Sequence, residues 1–122
     1  DIIRAGEGLT VVASGAMVRE ALDAREKGGL NFELIAVSSI KKFDEQVFES
    51  IKRTGKVATI EDHNTISGLG GTLARELAKR GIKTEKYETF GVEEYQLSGK
   101  SADLYEHVGL SANKLSESLA KI

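Results

Sequence analysis

Residues 56–81, KVATIEDHNTISGLGGTLARELAKRG, contain the clearest signals of secondary structure in the chain. The first of these residues, KVATI, form a short run that predicts a β-strand. A polar loop and a glycine-rich turn follow. Leu69, Leu73 and Leu77 then recur four residues apart, which predicts an amphipathic helix that Gly81 would end. Residues 56–81 therefore predict one strand–turn–helix unit.

Two similar units precede this stretch. Apolar runs at residues 9–13 (LTVVA) and 32–37 (FELIAV) are typical of buried strands. The first run is followed by an amphipathic stretch at residues 17–27, which a Gly-Gly pair would close. The second is followed by Asp44, a good N-cap for a helix that would end at Thr54 and the glycine after it.

Weaker patterns complete the chain. Residues 82–90 alternate loosely between apolar and polar positions, which favours an edge strand. Ser101 and Ser111 each precede apolar residues at helical spacing, so two short terminal helices are expected, and Ile2-Ile3 predicts a further short strand. This order of elements predicts an α/β fold, in which right-handed βαβ units form a mainly parallel sheet with helices on both faces. Residues 1–122 are expected to form a single domain.

Composition excludes several classes of function. The net charge is -2 with both signs interspersed, so nucleic acid is not an expected partner. No apolar run is long enough to span a membrane, and the first residues do not resemble a secretory signal. The chain contains no cysteine, which excludes disulfides and thiolate metal sites and makes the cytoplasm the expected location.

Three segments could carry chemistry, because ligands of open parallel sheets bind beyond the carboxyl ends of the strands. Ser14-Gly15 ends the first long strand, where it forms either a tight turn or a close approach to an anion. Residues 98–101 (SGKS) resemble the end of a phosphate loop, but the upstream glycine is absent. Lys100 is therefore expected to be a solvated residue before an N-cap, with contact to a phosphate as the alternative. His107 is expected to be structural, near the end of a helix.

The third segment, residues 61–71 (EDHNTISGLGG), leaves open three interpretations. It could be an acid/base cluster, because a histidine near carboxylates titrates close to neutral pH. It could bind an anion at the start of the following helix. It could also be a polar loop that caps this helix and makes a demanding turn. The glycine spacing does not complete a dinucleotide-binding fingerprint, because Leu73 occupies the last glycine position.

Taken together, these segments resemble the C-terminal domain of transketolases. Residues 38–44 (SSIKKFD) resemble a segment SIKPLD of that family, and residues 60–64 (IEDHN) with 68–70 (GLG) resemble VEDH or VEEHN followed by GGLG. Residues 98–104 (SGKSADL), then Gly109-Leu110, resemble SGKPAELL followed by GL. The order and spacing match from about Leu9 to the C-terminus. Lys42 and Ser101 depart from the family, which often has proline at both positions.

The resemblance implies a three-layer α/β/α domain with a five-stranded sheet, whose one antiparallel edge strand would come from Ile2-Ile3. The complete enzyme would be a cytoplasmic homodimer of the pentose phosphate pathway that transfers a two-carbon ketol unit between sugar phosphates. Two other domains would bind thiamine diphosphate with a divalent metal (Mg²⁺) across the dimer interface. This domain alone would be inactive and would bind no cofactor.

The resemblance assigns no catalytic, cofactor-binding or metal-binding residue to this chain. The candidates for the substrate entrance or for an interface are Glu61, Asp62, His63, Asn64, Gly68, Gly70, Gly71, Ser98, Gly99 and Lys100.

Alternative functions remain open. Deoxyxylulose-phosphate synthases and the beta subunits of 2-oxoacid dehydrogenases share such a domain. The chain could also be a stand-alone anion- or nucleotide-binding module that uses the helix start at Gly68–Gly71. A receiver-like signalling domain would need an acidic pair early in the chain and an aspartate at the end of a central strand. Ser14-Gly15 and Ser38-Ser39 occupy the strand ends instead.

Overall fold

A computed structural model of the chain describes residues 1–38, 42–61, 68–91 and 110–122. Within these ranges, strands and helices alternate from the second strand onward, as the sequence pattern predicts. The strands are β1 (Ile2–Arg4), β2 (Thr10–Ser14), β3 (Glu33–Val37), β4 (Lys56–Ile60) and β5 (Lys86–Phe90). The helices are α1 (Met17–Gly28), α2 (Glu45–Thr54), α3 (Leu69–Lys79) and α4 (Ala112–Ala120).

The five strands form one sheet in the order β1-β3-β2-β4-β5. Strand β1 pairs antiparallel with β3, and the other neighbours are parallel. This arrangement confirms the predicted five-stranded sheet with one antiparallel edge strand, and it confirms that Ile2 and Ile3 supply that strand. The parallel strands all end at the same edge of the sheet, which we call the carboxyl edge.

Helices cover both faces of the sheet, and this explains why residues 11–13 of β2 are all apolar. Val11 and Ala13 face a core built with α1 and α4. Val12, between them, faces a second core built with α2 and α3. All three side chains are fully buried, since alternate residues of a strand point to opposite faces.

The helix ends follow the predicted glycines closely. Gly29 and Gly55 take left-handed conformations, with φ of 60° and 74°, immediately after α1 and α2. Asp44 stands at the N-cap of α2 as predicted, but its side chain makes no capping hydrogen bond. Ser111 does cap α4, because its hydroxyl oxygen accepts a hydrogen bond from the Lys114 N–H at 3.2 Å.

The edge strand β5 begins at Lys86, four residues later than the loose alternation predicts. The preceding residues complete the end of α3 instead, since Gly81 has a φ of 69° and the Ile82 N–H bonds to the Leu77 carbonyl at 3.0 Å. The predicted helix after Ser101 lies outside the described residues.

A polar network fills the opposite edge of the sheet, where the parallel strands begin. The Thr10 hydroxyl lies 2.7 Å from that of Ser50 and 2.8 Å from that of Thr54. Beside them, the buried Glu33 carboxylate accepts a hydrogen bond from the Arg53 guanidinium and forms a salt bridge with it. The network therefore ties α2 to the first residues of β2 and β3.

Burial by itself would raise the pKa of Glu33. Hydrogen bonds from Ser50 and Arg53, and the positive charge of Arg53, outweigh this effect, so the pKa of Glu33 lies below its ordinary value of 4.5. A carboxyl group with a depressed pKa in the folded state stabilises the protein above its ordinary pKa. That stabilisation is lost as the pH falls through the pKa that Glu33 has in the folded state.

We expect Leu73→Ala to lower the free energy of unfolding by about 2–5 kcal/mol, because Leu73 is fully buried against the α2/α3 face of the sheet. Urea denaturation of both proteins measures the difference. Lys79→Ala, at an exposed position of the same helix, is the control and should stay within about 0.5 kcal/mol of the unsubstituted protein. A loss from Leu73→Ala as small as that of the control would contradict the packing described.

We expect Glu33→Gln to flatten the acid side of the pH–stability curve. The unsubstituted protein should lose stability as the pH falls below about 4.5, because Glu33 then binds a proton more readily in the unfolded chain than in the folded one. The variant should start less stable at neutral pH and lose less on acidification, as followed by thermal unfolding between pH 7 and pH 3. Ser50→Ala should act in the same direction, since Ser50 stabilises the charged carboxylate. Parallel curves for all three proteins would show that Glu33 is not the group responsible.

Candidate functional site

At the carboxyl edge, neighbouring strands lead to opposite faces of the sheet. Strand β2 continues into α1 on one face, whereas its neighbour β4 continues into α3 on the other. Ala13 pairs with Ile60, so Ser14 and Glu61 end adjacent strands. Doubly wound sheets bind their ligands at such switch points.

Glu61 is buried at this edge, with only 1% of its surface exposed. One carboxylate oxygen accepts a hydrogen bond from the backbone N–H of Leu69, and the other accepts one from Gly70, both at 2.7 Å. Gly68 stands at the N-cap and has no side chain with which to cap the helix. The carboxylate therefore satisfies two free N–H groups of α3, and its negative charge lies at the positive end of the helix dipole.

Tyr87 on β5 also contacts the first turn of α3. Its hydroxyl donates a hydrogen bond to the Gly70 carbonyl at 2.6 Å. Burial, and then the negative charge of Glu61, raise the pKa of the Tyr87 hydroxyl well above its ordinary value. Tyr87 is therefore a permanently neutral hydrogen-bond donor at any physiological pH.

Gly70 is required at its position by close packing. A Cβ atom at residue 70 would lie 2.8 Å from the Thr89 Cγ2 and 3.0 Å from the Thr59 Oγ1. Among the described residues, that buried Thr59 hydroxyl has no hydrogen-bond partner. The glycine lets the first turn of α3 lie directly on β4 and β5.

The structure brings part of the predicted site together. Glu61, Gly68, Gly70 and Gly71 lie at the junction of β4 and α3, and Gly71 belongs to the first turn of the helix. The candidates that lie outside the described residues are Asp62, His63, Asn64, Ser98, Gly99 and Lys100, together with His107. Ser14-Gly15 forms the tight strand-to-helix turn that was one of its two interpretations, with a Gly15 φ of 57°.

Sequence reasoning did not predict that Glu61 reaches forward to α3 or that Tyr87 contacts it. The signal for Glu61 was a carboxylate at a strand end before a helix whose N-cap is glycine. Of the three interpretations of residues 61–71, helix capping describes what Glu61 does. An external anion at the Leu69 and Gly70 N–H groups would have to displace this carboxylate.

The described residues do not fit thiamine diphosphate with its metal. Two N–H groups that could hold a phosphate at the start of α3 are bonded to Glu61. In the parts of the chain that the structure describes, no three His, Asp or Glu side chains are grouped to hold a metal ion. We therefore derive no catalytic step through this cofactor on this chain.

None of the described helices is both long and apolar enough to cross a membrane.

Comparison with known proteins gives consistent matches. The family profile "Transketolase, C-terminal domain" matches residues 1–115. A transketolase C-terminal section of Methanocaldococcus jannaschii is 37% identical over 120 residues, which are 95% of this chain and 36% of that protein. A 1-deoxy-D-xylulose-5-phosphate synthase of Heliobacterium modesticaldum is 28% identical over 119 residues, which are 94% of this chain and 18% of that protein.

Among solved structures, a split gene transketolase in an inactive beta4 tetramer superimposes with a TM-score of 0.82 at 30% identity. The match covers 99% of this chain and 40% of that one. The chain thus spans well under half the length of each of these three proteins.

We expect Gly70→Ala to lower the free energy of unfolding by about 1–3 kcal/mol, because the new Cβ would collide with Thr89 and Thr59. Urea denaturation measures the loss. The variant Gly70→Ala/Thr89→Ala removes the nearer of the two opposing atoms and should recover part of the loss, whereas Thr89→Ala alone should change little. If Gly70→Ala and Gly70→Ala/Thr89→Ala lose the same free energy of unfolding, the close approach of residue 70 to Thr89 is contradicted.

Proposed function

Because the chain belongs to the family of transketolase C-terminal domains, we propose that it forms the C-terminal part of an enzyme that transfers a two-carbon ketol unit between sugar phosphates. The observation that carries this proposal is the family match over residues 1–115, together with the fold shared at a TM-score of 0.82. The chemistry would belong to the complete enzyme, and this domain by itself would be inactive.

The cofactor and the partners follow from the same premise. Thiamine diphosphate and Mg²⁺ would be bound by other domains of the same polypeptide or of a partner subunit. The enzyme would work as a dimer in the cytoplasm. The beta4 tetramer of the split gene transketolase is described as inactive, which supports a requirement for a second kind of subunit. Residues 1–122 would act as one domain within this assembly.

The domain would contribute to dimer assembly and to the substrate entrance through its carboxyl edge. The switch point between β2 and β4 supports this location, because ligands of such sheets approach from that edge. Glu61, Gly68, Gly70 and Gly71 would shape the edge from within. Asp62, His63 and Asn64, which follow Glu61 in the chain, and Ser98, Gly99 and Lys100 are the proposed contact residues.

The second candidate is the equivalent domain of a deoxyxylulose-phosphate synthase, which the relative from Heliobacterium modesticaldum favours. The two activities differ in the donor substrate, a ketose phosphate in one and a 2-oxoacid in the other. The polypeptide should therefore be assayed as its source produces it, together with any subunit that copurifies. Each assay contains thiamine diphosphate, Mg²⁺ and an aldose phosphate acceptor.

We expect product formation with a ketose phosphate donor and none with pyruvate. Omission of thiamine diphosphate should abolish the reaction, and a fragment limited to residues 1–122 should be inactive. Turnover of pyruvate in place of the ketose phosphate would favour the second candidate. Absence of thiamine-dependent turnover with both donors would overturn both proposals.

A further inference from the structure

Two buried carboxylates lie at opposite edges of the sheet in the described residues, and they differ in what they contact. Glu33 pairs with a positive side chain, Arg53. Glu61 contacts no described cation and instead accepts the two backbone N–H groups of Leu69 and Gly70. It thereby connects the first residue after β4 to the first turn of α3, which begins eight positions later in the sequence.

On the basis of the proposed function, we propose that Glu61 is a positioning residue for the substrate entrance. Its carboxylate would take the place of an external anion at the start of α3 and so hold the carboxyl edge in one arrangement. Three hydrogen bonds and one packing contact fix this arrangement: the two N–H bonds to Glu61 at 2.7 Å, the Tyr87–Gly70 bond at 2.6 Å and the close packing of Gly70 on β4 and β5.

The physical cost of losing the carboxylate explains why it would control geometry. A glutamine at residue 61 has one carbonyl oxygen and one amide group that can only donate, so one of the two N–H groups would face another donor. A buried donor without an acceptor is unfavourable. The start of α3 would therefore move away from β4.

Glu20 offers a matched control for this effect. Its carboxylate also accepts a hydrogen bond from a helix-start N–H, that of Ala112 at 2.9 Å. That bond connects α4 to α1 and involves no strand end. Glu20→Gln and Glu61→Gln are therefore the same chemical change, and both should lower the melting temperature, but only the second should alter the switch point.

The experiment compares steady-state ketol transfer by the complete enzyme carrying Glu61→Gln, Glu20→Gln or neither. We expect Glu61→Gln to raise KM for the sugar phosphates by about fivefold or more while kcat stays within about twofold, since substrate placement and not chemistry is affected. Glu20→Gln should leave both constants within about twofold. A KM for Glu61→Gln equal to that for Glu20→Gln would overturn the positioning role.

Chemical rescue provides a second measurement if Glu61→Gln fails to fold. Glu61→Ala leaves two N–H groups facing a space that a small carboxylate can fill. Sodium formate, compared with sodium chloride at equal ionic strength, should raise the melting temperature of Glu61→Ala and lower its KM, with no such effect on Glu20→Ala. Formate without effect on Glu61→Ala would overturn the proposal. If the unsubstituted enzyme itself shows no ketol transfer, the proposed function is overturned. Failure of the proposed function is thereby distinguished from failure of the positioning role of Glu61.

Discussion

Strand β2 lies at the centre of the sheet and is buried on both faces, and this burial dictates where the helices must pack. A strand with Val11 and Ala13 on one side and Val12 on the other cannot leave either face to water. Helices must therefore be supplied on both sides. Helix α1 goes to one face and α2 and α3 go to the other, and this division creates the switch point at the carboxyl edge.

The polar groups that this burial traps are satisfied differently at the two edges of the sheet. Where the strands begin, charge is paired with charge, because Glu33 meets Arg53 beside the hydroxyl groups of Thr10 and Ser50. Where β4 ends, charge is paired with backbone dipoles, because Glu61 meets α3. The first arrangement connects strand β3 to a side chain in the last turn of α2. The second completes the helix itself, which explains why no polar N-cap side chain is needed at Gly68.

The sequence predicted most of the fold, because the signals were periodic and local. The runs at residues 9–13 and 56–60 place β2 and β4 to within one residue, and the leucines of α3 are buried as their spacing predicts. The start of β5 was placed too early, since Ile82 could equally continue the end of a helix. The site was less predictable. The contacts of Glu61 and Tyr87 join residues brought together by the fold, and the only local signal was a carboxylate at a strand end before a helix whose N-cap is glycine.

The two N–H groups held by Glu61 have a consequence for the motion of α3. The first turn of a helix ordinarily frays, and its amide protons exchange readily with water because no carbonyl holds them. In α3 the protons of Leu69 and Gly70 are instead bound to a carboxylate that is 1% exposed. Exchange at these two positions therefore requires the opening of the junction between β4 and α3. The start of α3 should behave as part of the rigid interior of the domain.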